Sequence, residues 1–469
     1  MQAQSRALPS IQHVLPTFDA LVSAETVRAL VRASGKRFYE RAFTPLVVIW
    51  CFIFQRLNPD HTLDAVVDHV ASGALDHLDH RQRAPLSQRL KSEGTAGYSN
   101  ARKRLPLAIL VGIVRHMAQA AEQCLGESAS WQGHPVALLD GTTLRTRPEP
   151  ELVKHYGQAA NQHGTAYWVV IRAVAAFGLH TAALLAVAEG SQHESEQTLA
   201  KSVLAGLIPN TICVGDGNFG VFSVAQAVRH YGLWSLLRLS APRAKALAKG
   251  HLQPSEDRSV QWAPSKSDQH DRTMSAAPIL GRLIYLRLER DGFRPVDLYL
   301  FTSLLDTPKY SVEGLLALYG RRWHVELDLR YVKSTLDMEL LCAKSVAMVQ
   351  KELWAGLAAY NLVRIYVALA AREAGLTPLS LSFTKCWRRV QQMLGALRPT
   401  DLPEEVARRL RQLLSRLARC RLQRRKLFRL EPRSVRVRPV VYPTLRGSRE
   451  KARQLTLQKR MTATMGTKC

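Results

Sequence analysis

Two apolar segments of this sequence end in the same Asp-Gly pair, and this repetition limits the possible folds more than any other feature. Residues 136–139 lead into Asp140, and residues 211–214 lead, through a glycine, into Asp216. An acid at the carboxyl end of a buried strand lies at a sheet edge, where a cation or a substrate can approach. One such Asp is usually a turn residue or a helix cap, but two favour a shared metal site, because Mg²⁺ prefers carboxylate oxygens.

The segments around these acids alternate between strand-like and helix-like patterns. Short apolar runs bounded by glycine and turn residues predict strands at 136–139, 168–177, 182–188 and 211–214. The four residues 178–181 predict a hairpin between the second and third strands. Helices are predicted at about 192–206 and at 221–230. The resulting order is β-β-β-α-β-α, which predicts an α/β fold with a sheet flanked by helices.

The remaining sequence predicts further regions around this core. Apolar residues at three- and four-residue intervals in 18–33, 45–57, 63–71 and 99–124 predict a helical N-terminal domain over residues 1–128. Strand-like runs at 280–288 and 296–302 predict a β-rich insertion over 233–305. Strong helical patterns return at 312–338 and 349–374. We therefore predict a catalytic core made of 129–232 and 306–400, followed by a basic C-terminal region at 401–469.

The charge balance predicts a polyanionic partner. The chain has 65 Lys plus Arg against 38 Asp plus Glu, a formal net charge of +27, and 20 of the basic residues but only 5 of the acids lie in 401–469. Nucleic acid and a membrane surface are the two candidates. The longest apolar run, 46–54, is far short of the roughly 20 residues that span a bilayer, so no transmembrane helix is predicted. The N-terminus lacks a secretory signal pattern, which predicts a cytoplasmic protein.

A polar stripe on one predicted helix is the most specific motif in the sequence. At about 100° per residue, five side chains share one face of this helix. They are Tyr319, Arg322, Glu326, Arg330 and Lys333. The stripe could be a salt-bridged face in solvent, but the apolar residues beside it indicate that the helix is packed on much of its surface. A polar stripe beside packed faces favours a cleft lining.

Three other motifs have competing interpretations. Arg102, Lys103 and Arg104 follow Ser99, a good N-cap residue, and form either a solvated helix face or a DNA-contacting one. The segment 215–220 fits G-x-G-x-x-G, but an acid inside the loop would repel a pyrophosphate, so a dinucleotide site is not favoured. The His- and Glu-containing segment 191–196 is interpreted as a capping box that opens a helix, not as a metal cluster.

With these motifs, the sequence resembles the DDE transposases of bacterial insertion sequences, specifically the insertion-sequence-four family. Its signature is Tyr, two residues, Arg, three residues, Glu, six residues, Lys, and the chain matches it at every interval from Tyr319 to Lys333. The resemblance implies a ribonuclease-H-like core whose catalytic, metal-binding acids are Asp140, Asp216 and Glu326. It also departs from a pattern: where some members carry a base-stacking Trp, this chain has Leu298.

The resemblance implies an activity and its partners. Two Mg²⁺ or Mn²⁺ ions would support cleavage at transposon ends and transfer of the 3′-hydroxyl into target DNA. Two protomers would pair two terminal inverted repeats as a homodimer, with Tyr319, Arg322, Arg330 and Lys333 on the DNA. Two alternatives remain: a ribonuclease-H-like nuclease without strand transfer, and an inactive DNA-binding remnant of a transposable element.

Overall fold

A computed structural model describes residues 22–38, 42–78, 84–90, 94–162, 164–266, 268, 277–289, 296–396, 403–422 and 447–465. The helices are α1 Ala24–Ala33, α2 Pro45–Leu57, α3 Leu63–Ala71, α4 Ala96–Arg104, α5 Leu107–Leu125, α6 Pro150–Tyr156, α7 Glu196–Leu204, α8 Phe222–His230, α9 Ala241–Ala248, α10 Val312–Gly320, α11 His324–Arg330, α12 Val346–Glu373, α13 Phe383–Ala396, α14 Pro403–Ala418 and α15 Arg449–Met465. The strands are β1 Ser130–Trp131, β2 His134–Thr146, β3 Gln158–Asn161, β4 Gly164–Gly178, β5 Leu184–Ser191, β6 Ile212–Gly215, β7 Trp234–Leu239, β8 Glu256–Trp262, β9 Ile279–Leu288, β10 Val296–Thr302 and β11 Leu340–Leu341. The chain divides into two compact units, residues 1–422 and 423–469, and α15 lies in the second.

Capping residues and prolines determine where the N-terminal helices α2, α4 and α5 begin and end. The hydroxyl of Thr44 accepts a hydrogen bond from the backbone of Val47 and caps α2, whose first residue is Pro45. The predicted helix over 99–124 is wrong in its bounds: α4 begins at residue 96, and α5 starts only after Pro106. Proline disfavours a helical conformation at the residue before it, so the chain turns at residue 105. Ser99 therefore lies inside α4 and is not an N-cap.

The central sheet has the strand order that defines a ribonuclease-H-like core. Strands β5, β4 and β2 form an antiparallel meander, β6 lies parallel to β2, and β7 lies parallel to β6. The short strands β1, β3 and β11 pair with β2 or β4 at the margins. Helix α7 connects β5 to β6 and helix α8 connects β6 to β7. This arrangement confirms the predicted fold class, a mixed sheet flanked by helices.

The β-rich segment after β7 extends the same sheet. Strand β10 pairs antiparallel with β7, β9 pairs with β10, and β8 pairs with β9. The predicted strands at 280–288 and 296–302 match β9 and β10 within a residue, but β8 was not predicted. Strand β8 has charged or polar residues at five of its seven positions, so its apolar content alone does not identify it. The sheet is therefore continuous from β5 to β8.

Apolar cores lie on both faces of the sheet. Helices α7 and α8 cover one face, where residues such as Leu139, Val203 and Val224 are buried. Helices α5 and α12 belong to the core on the other face, with Leu138 and Val214. Within the described ranges, α12 is the one helix long and apolar enough to cross a membrane, and its apolar stretch is entirely buried, as in a core helix. The six cysteines of the described ranges are all free.

One buried side chain on α12 connects three elements. The amide of Asn361 donates hydrogen bonds to the carbonyls of Val114 on α5 (3.2 Å) and Leu184 on β5 (3.0 Å). Its side-chain oxygen accepts a 2.8 Å hydrogen bond from the backbone of Leu184. Every polar atom of this fully buried amide is therefore used, which makes the burial of a polar group tolerable. Helix α12 is thus fixed to the N-terminal helices and to the sheet.

Candidate active site

The register of two parallel strands brings the two Asp-Gly acids to the same level. Leu138 of β2 lies beside Val214 of β6. Asp140 and Asp216 each follow two residues later, so they lie at the same height on adjacent segments. Strand β6 ends at Gly215, as predicted, but β2 continues through Asp140 to Thr146. The expectation that Asp140 ends its strand is wrong, because β2 pairs with β4 well beyond the end of β6.

Asp140 has an environment that disfavours its charge. Burial raises the pKa of Asp140 to about 6, and the nearby carboxylates of Asp216 and Glu326 act in the same direction. The backbone N–H of Gly141, which donates a 2.8 Å hydrogen bond to Asp140, and the charge of Arg322 oppose this rise. Positive charge is therefore favourable at this position.

The segment that carries Glu326 is not one continuous helix. The prediction of a helix over 312–338 is wrong in its regularity: α10 ends at residue 320, a tight turn follows at Arg321–Trp323, and α11 leads into a π-helical turn at Tyr331–Thr335. Such π turns are frequent at functional sites. The assumption of 100° per residue therefore fails along this segment. Its polar side chains reach one cleft because of these local deviations.

A buried ion pair fixes α11 against α12. Asp328 is two residues after Glu326, and its carboxylate lies 2.5 Å from the guanidinium of Arg364, with both side chains nearly inaccessible. The hydroxyl of Tyr360 donates a 3.3 Å hydrogen bond to the same carboxylate, and Arg364 also stacks on the ring of Phe383, 4.4 Å from its centroid. The position of Glu326 therefore depends on a rigid contact on the opposite side of its helix.

Arg322 lies between two of the three acids. Its guanidinium donates a 2.9 Å hydrogen bond to Glu326, and another of its nitrogens is 3.9 Å from a carboxylate oxygen of Asp140. From the sequence we expected Arg322 to follow DNA away from the acids. Instead it contacts them directly, because the tight turn at residues 321–323 directs it toward β2.

The other residues of the predicted stripe border the same cleft. Arg330 and Lys333 line a cavity of about 410 Å³ together with Asp140 and Glu326. Tyr319 is partly buried, which raises its pKa, and the charges of Arg322 and Asp216 act on its hydroxyl. All five residues of the stripe are thus near the acids. The cleft has carboxylates at its centre and cations along its sides.

The predicted basic helix is in a different part of the molecule. Arg102 is in the last turn of α4, where its guanidinium lies 4.9 Å from the centroid of Phe52, and it lines a separate cavity of about 420 Å³. Lys103 and Arg104 are exposed, and the ammonium of Lys351 donates to the carbonyls of residues 102 and 103. The structure therefore does not bring these three basic residues to the acid cluster.

Three residues near the site were not predicted from the sequence. Arg238 of β7 is exposed and close enough to Tyr319 to affect its pKa. Asn218 donates its backbone N–H to Asp216 at 3.0 Å, and its side chain donates to Glu196 at 2.5 Å. Glu196 lies in the segment that we interpreted as the start of a helix. The only sequence signal for the contact between Asn218 and Glu196 is that Asn218 lies two residues after Asp216.

The segments 191–196 and 215–220, which the sequence did not favour as ligand sites, have structural explanations. Ser191 and Glu194 form a turn in which the carboxylate accepts the N–H of Ser191 at 2.9 Å, but α7 begins later, with Ser195 as its cap. The capping-box prediction is therefore wrong in position. In the glycine-rich segment, a Cβ at Gly220 would collide with the carbonyl oxygen of Arg238. Close packing accounts for that glycine without a phosphate.

The position on β10 where some relatives are expected to carry a tryptophan is Leu298 in this chain. Leu298 is buried, and so is Trp262, whose ring contacts Phe222 and Phe301. The indole of Trp234 donates a 2.9 Å hydrogen bond to Asn210. These side chains belong to the packing of the sheet. Trp323, next to Arg322, is 60% exposed.

The donor chemistry of the cleft fits a divalent cation. Asp140, Asp216 and Glu326 offer carboxylate oxygens, which hard cations prefer. Among the residues that the structure describes, no three acid, His or Cys side chains already have the arrangement of a metal site. The guanidinium of Arg322 contacts two of the carboxylates and supplies positive charge in this state.

Comparison with known proteins identifies a family. The family model described as "Transposase DDE domain" matches residues 131–362, about half of the chain. This domain implies dependence on divalent metal ions in general. The matched segment contains Asp140, Asp216 and Glu326.

Relatives are found among bacterial transposases. The chain is 24% identical over 457 residues to the transposase InsG for insertion sequence element IS4 of Escherichia coli (strain K12), covering 93% of this chain and 95% of that protein. It is 32% identical over 142 residues to the putative transposase InsZ of the same strain, covering 28% of this chain and 46% of that protein.

A solved structure is more distantly similar. The piggyBac transposase in a cryo-EM synaptic complex with hairpin DNA has 12% identity and a TM-score of 0.40, covering 86% of this chain and 84% of that chain. The ribonuclease-H-like assignment rests on the strand order described above. With that fold, the family match and the full-length similarity to the IS4 transposase InsG, the chain belongs to the transposases with a DDE domain and is a DNA transposase.

Proposed function

We propose that this enzyme excises a DNA element by cutting at its terminal inverted repeats and joins the freed 3′-hydroxyls to target DNA. Asp140, Asp216 and Glu326 would be its catalytic acids and would together hold two Mg²⁺ or Mn²⁺ ions. The main supporting observation is that these carboxylates, from three separate segments, lie close enough for Asp216 and Glu326 to raise the pKa of Asp140, beside a cleft that Asp140, Glu326, Arg330 and Lys333 line.

Each acid has a defined support in the protein. Asp140 is held by the pairing of its strand with β4 and by the N–H of Gly141. Asp216 accepts the N–H of Asn218, and Glu326 is on a helix fixed by the Asp328–Arg364 pair. When bound, the metal ions would lower the pKa of water or of a 3′-hydroxyl and stabilise charge on the phosphate. The protein's contribution is to orient the carboxylates before DNA arrives.

The basic residues of the cleft would bind the DNA backbone. Arg330 and Lys333 border the cavity outside the acids, and Tyr319 lies on the side of Asp216. Arg322 would exchange its carboxylate partners for a DNA phosphate, to which guanidinium binds through two parallel hydrogen bonds. Arg102, Lys103 and Arg104 would form a separate DNA contact on the N-terminal domain, since two of them are exposed.

The remaining parts of the proposal concern assembly and location. Two protomers would pair the two element ends as a homodimer before cutting. The N-terminal domain, residues 1–128, and the basic region 401–469 would also bind double-stranded DNA. Because the similar proteins come from a bacterium, we place the enzyme in the cytoplasm, on nucleoid DNA.

A strand-transfer assay tests this proposal. The full-length protein is incubated with Mg²⁺, a supercoiled target plasmid and duplexes carrying the inverted repeats that flank its gene. We expect joined products, and none with Asp140→Asn, which keeps the shape of the side chain but removes its charge. Cleavage without joining would favour a nuclease, and binding without cleavage would favour an inactive remnant.

A further inference from the structure

A fourth acid, Glu196, lies against Gly141, the neighbour of Asp140, on the opposite face of the sheet from the Asp140 side chain. It is the first residue of α7, and its carboxylate fills the space in which a side chain at Gly141 would lie. Because successive side chains on a strand point to opposite faces, Glu196 approaches β2 from behind Asp140. A Cβ at position 141 would collide with this carboxylate.

The partner of Glu196 is the loop that holds Asp216. The side-chain amide of Asn218 donates a 2.5 Å hydrogen bond to Glu196, while the backbone N–H of Asn218 donates a 3.0 Å hydrogen bond to Asp216. The amide of Gln197 also donates to the backbone and side-chain oxygens of Asn218, at 3.0 and 3.2 Å. The first turn of α7 therefore holds Asn218 by hydrogen bonds with two side chains, Glu196 and Gln197.

The hydrogen bonds of Asn218 connect α7 to Asp216, a proposed metal ligand. Asp216 follows the last residue of β6, so no strand pairing fixes it, unlike Asp140. The backbone carbonyl of Asp216 accepts the N–H groups of Phe219 and Gly220 at 3.2 Å, but its carboxylate is held by the Asn218 N–H, whose position depends on where the Asn218 side chain is held. Hydrogen bonds to ligating carboxylates fix the orientation of those ligands, and their loss typically lowers metal affinity by about 10- to 100-fold.

We propose that Glu196 is a positioning residue of the active site: through Asn218, it holds the Asp216 carboxylate in the orientation that binds metal. Glu196 acts as a hydrogen-bond acceptor and does not itself bind the ion. The proposal rests on the assignment of Asp216 as a metal ligand in the proposed function. It gives a role to a residue that the sequence pattern attributes only to the start of a helix.

Two substitutions at position 196 separate a hydrogen-bond acceptor from a metal ligand. Glu196→Gln keeps an oxygen that accepts from Asn218 but removes the charge, whereas Glu196→Ala removes the acceptor. Asn218→Ala breaks the same contact from the other side. The matched control is Glu194→Ala, two residues earlier, whose carboxylate contacts only the local turn in the described structure. All variants are made in the full chain.

The first measurement is amide hydrogen exchange of the segment around Asp216 in the metal-free protein. We expect exchange about tenfold faster in Glu196→Ala and Asn218→Ala, and within about threefold of wild type in Glu196→Gln and in the control. This readout requires neither metal nor activity. Unchanged exchange in Glu196→Ala would overturn the proposal.

The second measurement is the dissociation constant for Mn²⁺ alone, followed by electron paramagnetic resonance of the free ion. We expect about tenfold weaker binding in Glu196→Ala and Asn218→Ala, no further loss in the double variant, and nearly wild-type binding in Glu196→Gln. Equal loss in the Gln and Ala variants would overturn the proposal, since the charge itself would then matter. The variant Asp216→Ala distinguishes a failure of the Glu196 proposal from a failure of the proposed function. Wild-type Mn²⁺ affinity in this variant would refute the proposed function itself.

A glycine variant gives an independent check. Gly141→Ala should displace the flexible end of Glu196 and reproduce the Mn²⁺ defect of Glu196→Ala. Introduced together with Glu196→Ala, it should add nothing. An additional loss in the combined variant would show that residue 141 acts without Glu196, against the proposal.

Discussion

Arg322 donates a 2.9 Å hydrogen bond to Glu326, one of the carboxylates that we propose as metal ligands. In our proposal the same side chain would compete with metal for Glu326 and would bind DNA. We predict that Arg322→Ala binds Mn²⁺ about three- to tenfold more tightly in calorimetry without DNA, because a charge-assisted contact is worth about 1.5–3 kcal/mol before discounting for partial exposure. DNA cleavage should nevertheless fall at least tenfold. Weaker Mn²⁺ binding would instead mean that Arg322 orders Glu326.

The three acids should be needed for chemistry but not for DNA binding. Alanine at Asp140, Asp216 or Glu326 should abolish cleavage while affinity for end DNA stays within a few-fold, because basic surfaces supply that affinity. Gel-shift and cleavage assays on the same samples measure both quantities. Ca²⁺ should support binding without cleavage. Wild-type cleavage by any one variant would remove that residue from the site.

The ion pair behind Glu326 should dominate the stability of this region. Removing one partner of a buried pair leaves an uncompensated charge, so Arg364→Ala should lower the free energy of unfolding by about 3–5 kcal/mol. The exposed Arg408–Glu405 pair on α14 is the matched control, and Arg408→Ala should cost less than about 1 kcal/mol. Urea unfolding measures both. Similar effects for the two variants would contradict this ranking.

One buried acid should make stability depend on pH. Burial raises the pKa of Glu122 on α5 to about 7, although the hydroxyl of Thr181 donates a hydrogen bond to it. Between its unfolded value near 4.5 and about 7, the folded protein binds more protons than the unfolded one, so this residue makes stability fall as pH rises. The loss is complete above about pH 7. In thermal unfolding, Glu122→Gln should be less sensitive than wild type over pH 5–7, and an unchanged slope would contradict the prediction.

The C-terminal basic region should contribute affinity without sequence preference. Deleting residues 433–469, which include Arg433, Arg436 and Arg438 outside the described ranges, should weaken binding to end DNA and to random duplex equally. The dependence of the affinity on salt should also become shallower, since fewer phosphate contacts release fewer ions. Fluorescence anisotropy across a salt series measures both effects. A loss confined to end DNA would make this region a sequence reader.

Periodicity and spacing were sufficient to predict the core fold. Apart from α6 and β3, which were not predicted, the order of strands and helices from β2 to α8 follows from runs of apolar residues between turn signals, and those signals are local. The sequence could not predict that Asp140 and Asp216 lie at the same height, since this depends on the parallel register of β2 and β6. Strand β2 extends past Asp140 because β4 continues beside it, which is a tertiary effect.

The signature spacing groups the residues of the candidate site but does not predict their contacts. The signature spacing identified residues that do line one cleft, but it could not indicate that Arg322 turns toward the acids, because the breaks at 321–323 and 331–335 have no clear sequence signal. Glu196 and Asn218 were missed because 22 residues separate them and no periodicity connects them. Contacts that form across turns are specified by packing and not by local pattern.

The position of α12 also affects how the protein is synthesised. Helix α12 follows all three acids in the chain, yet it supplies the buried partner of α11 and covers the apolar side of α5. A ribosome-bound chain that has not yet released α12 leaves those surfaces open to water and Glu326 without its anchor. We therefore expect the nascent transposase to be inactive and prone to aggregation until late in translation, and a frameshift before Val346 to yield a protein that is degraded and not a smaller nuclease.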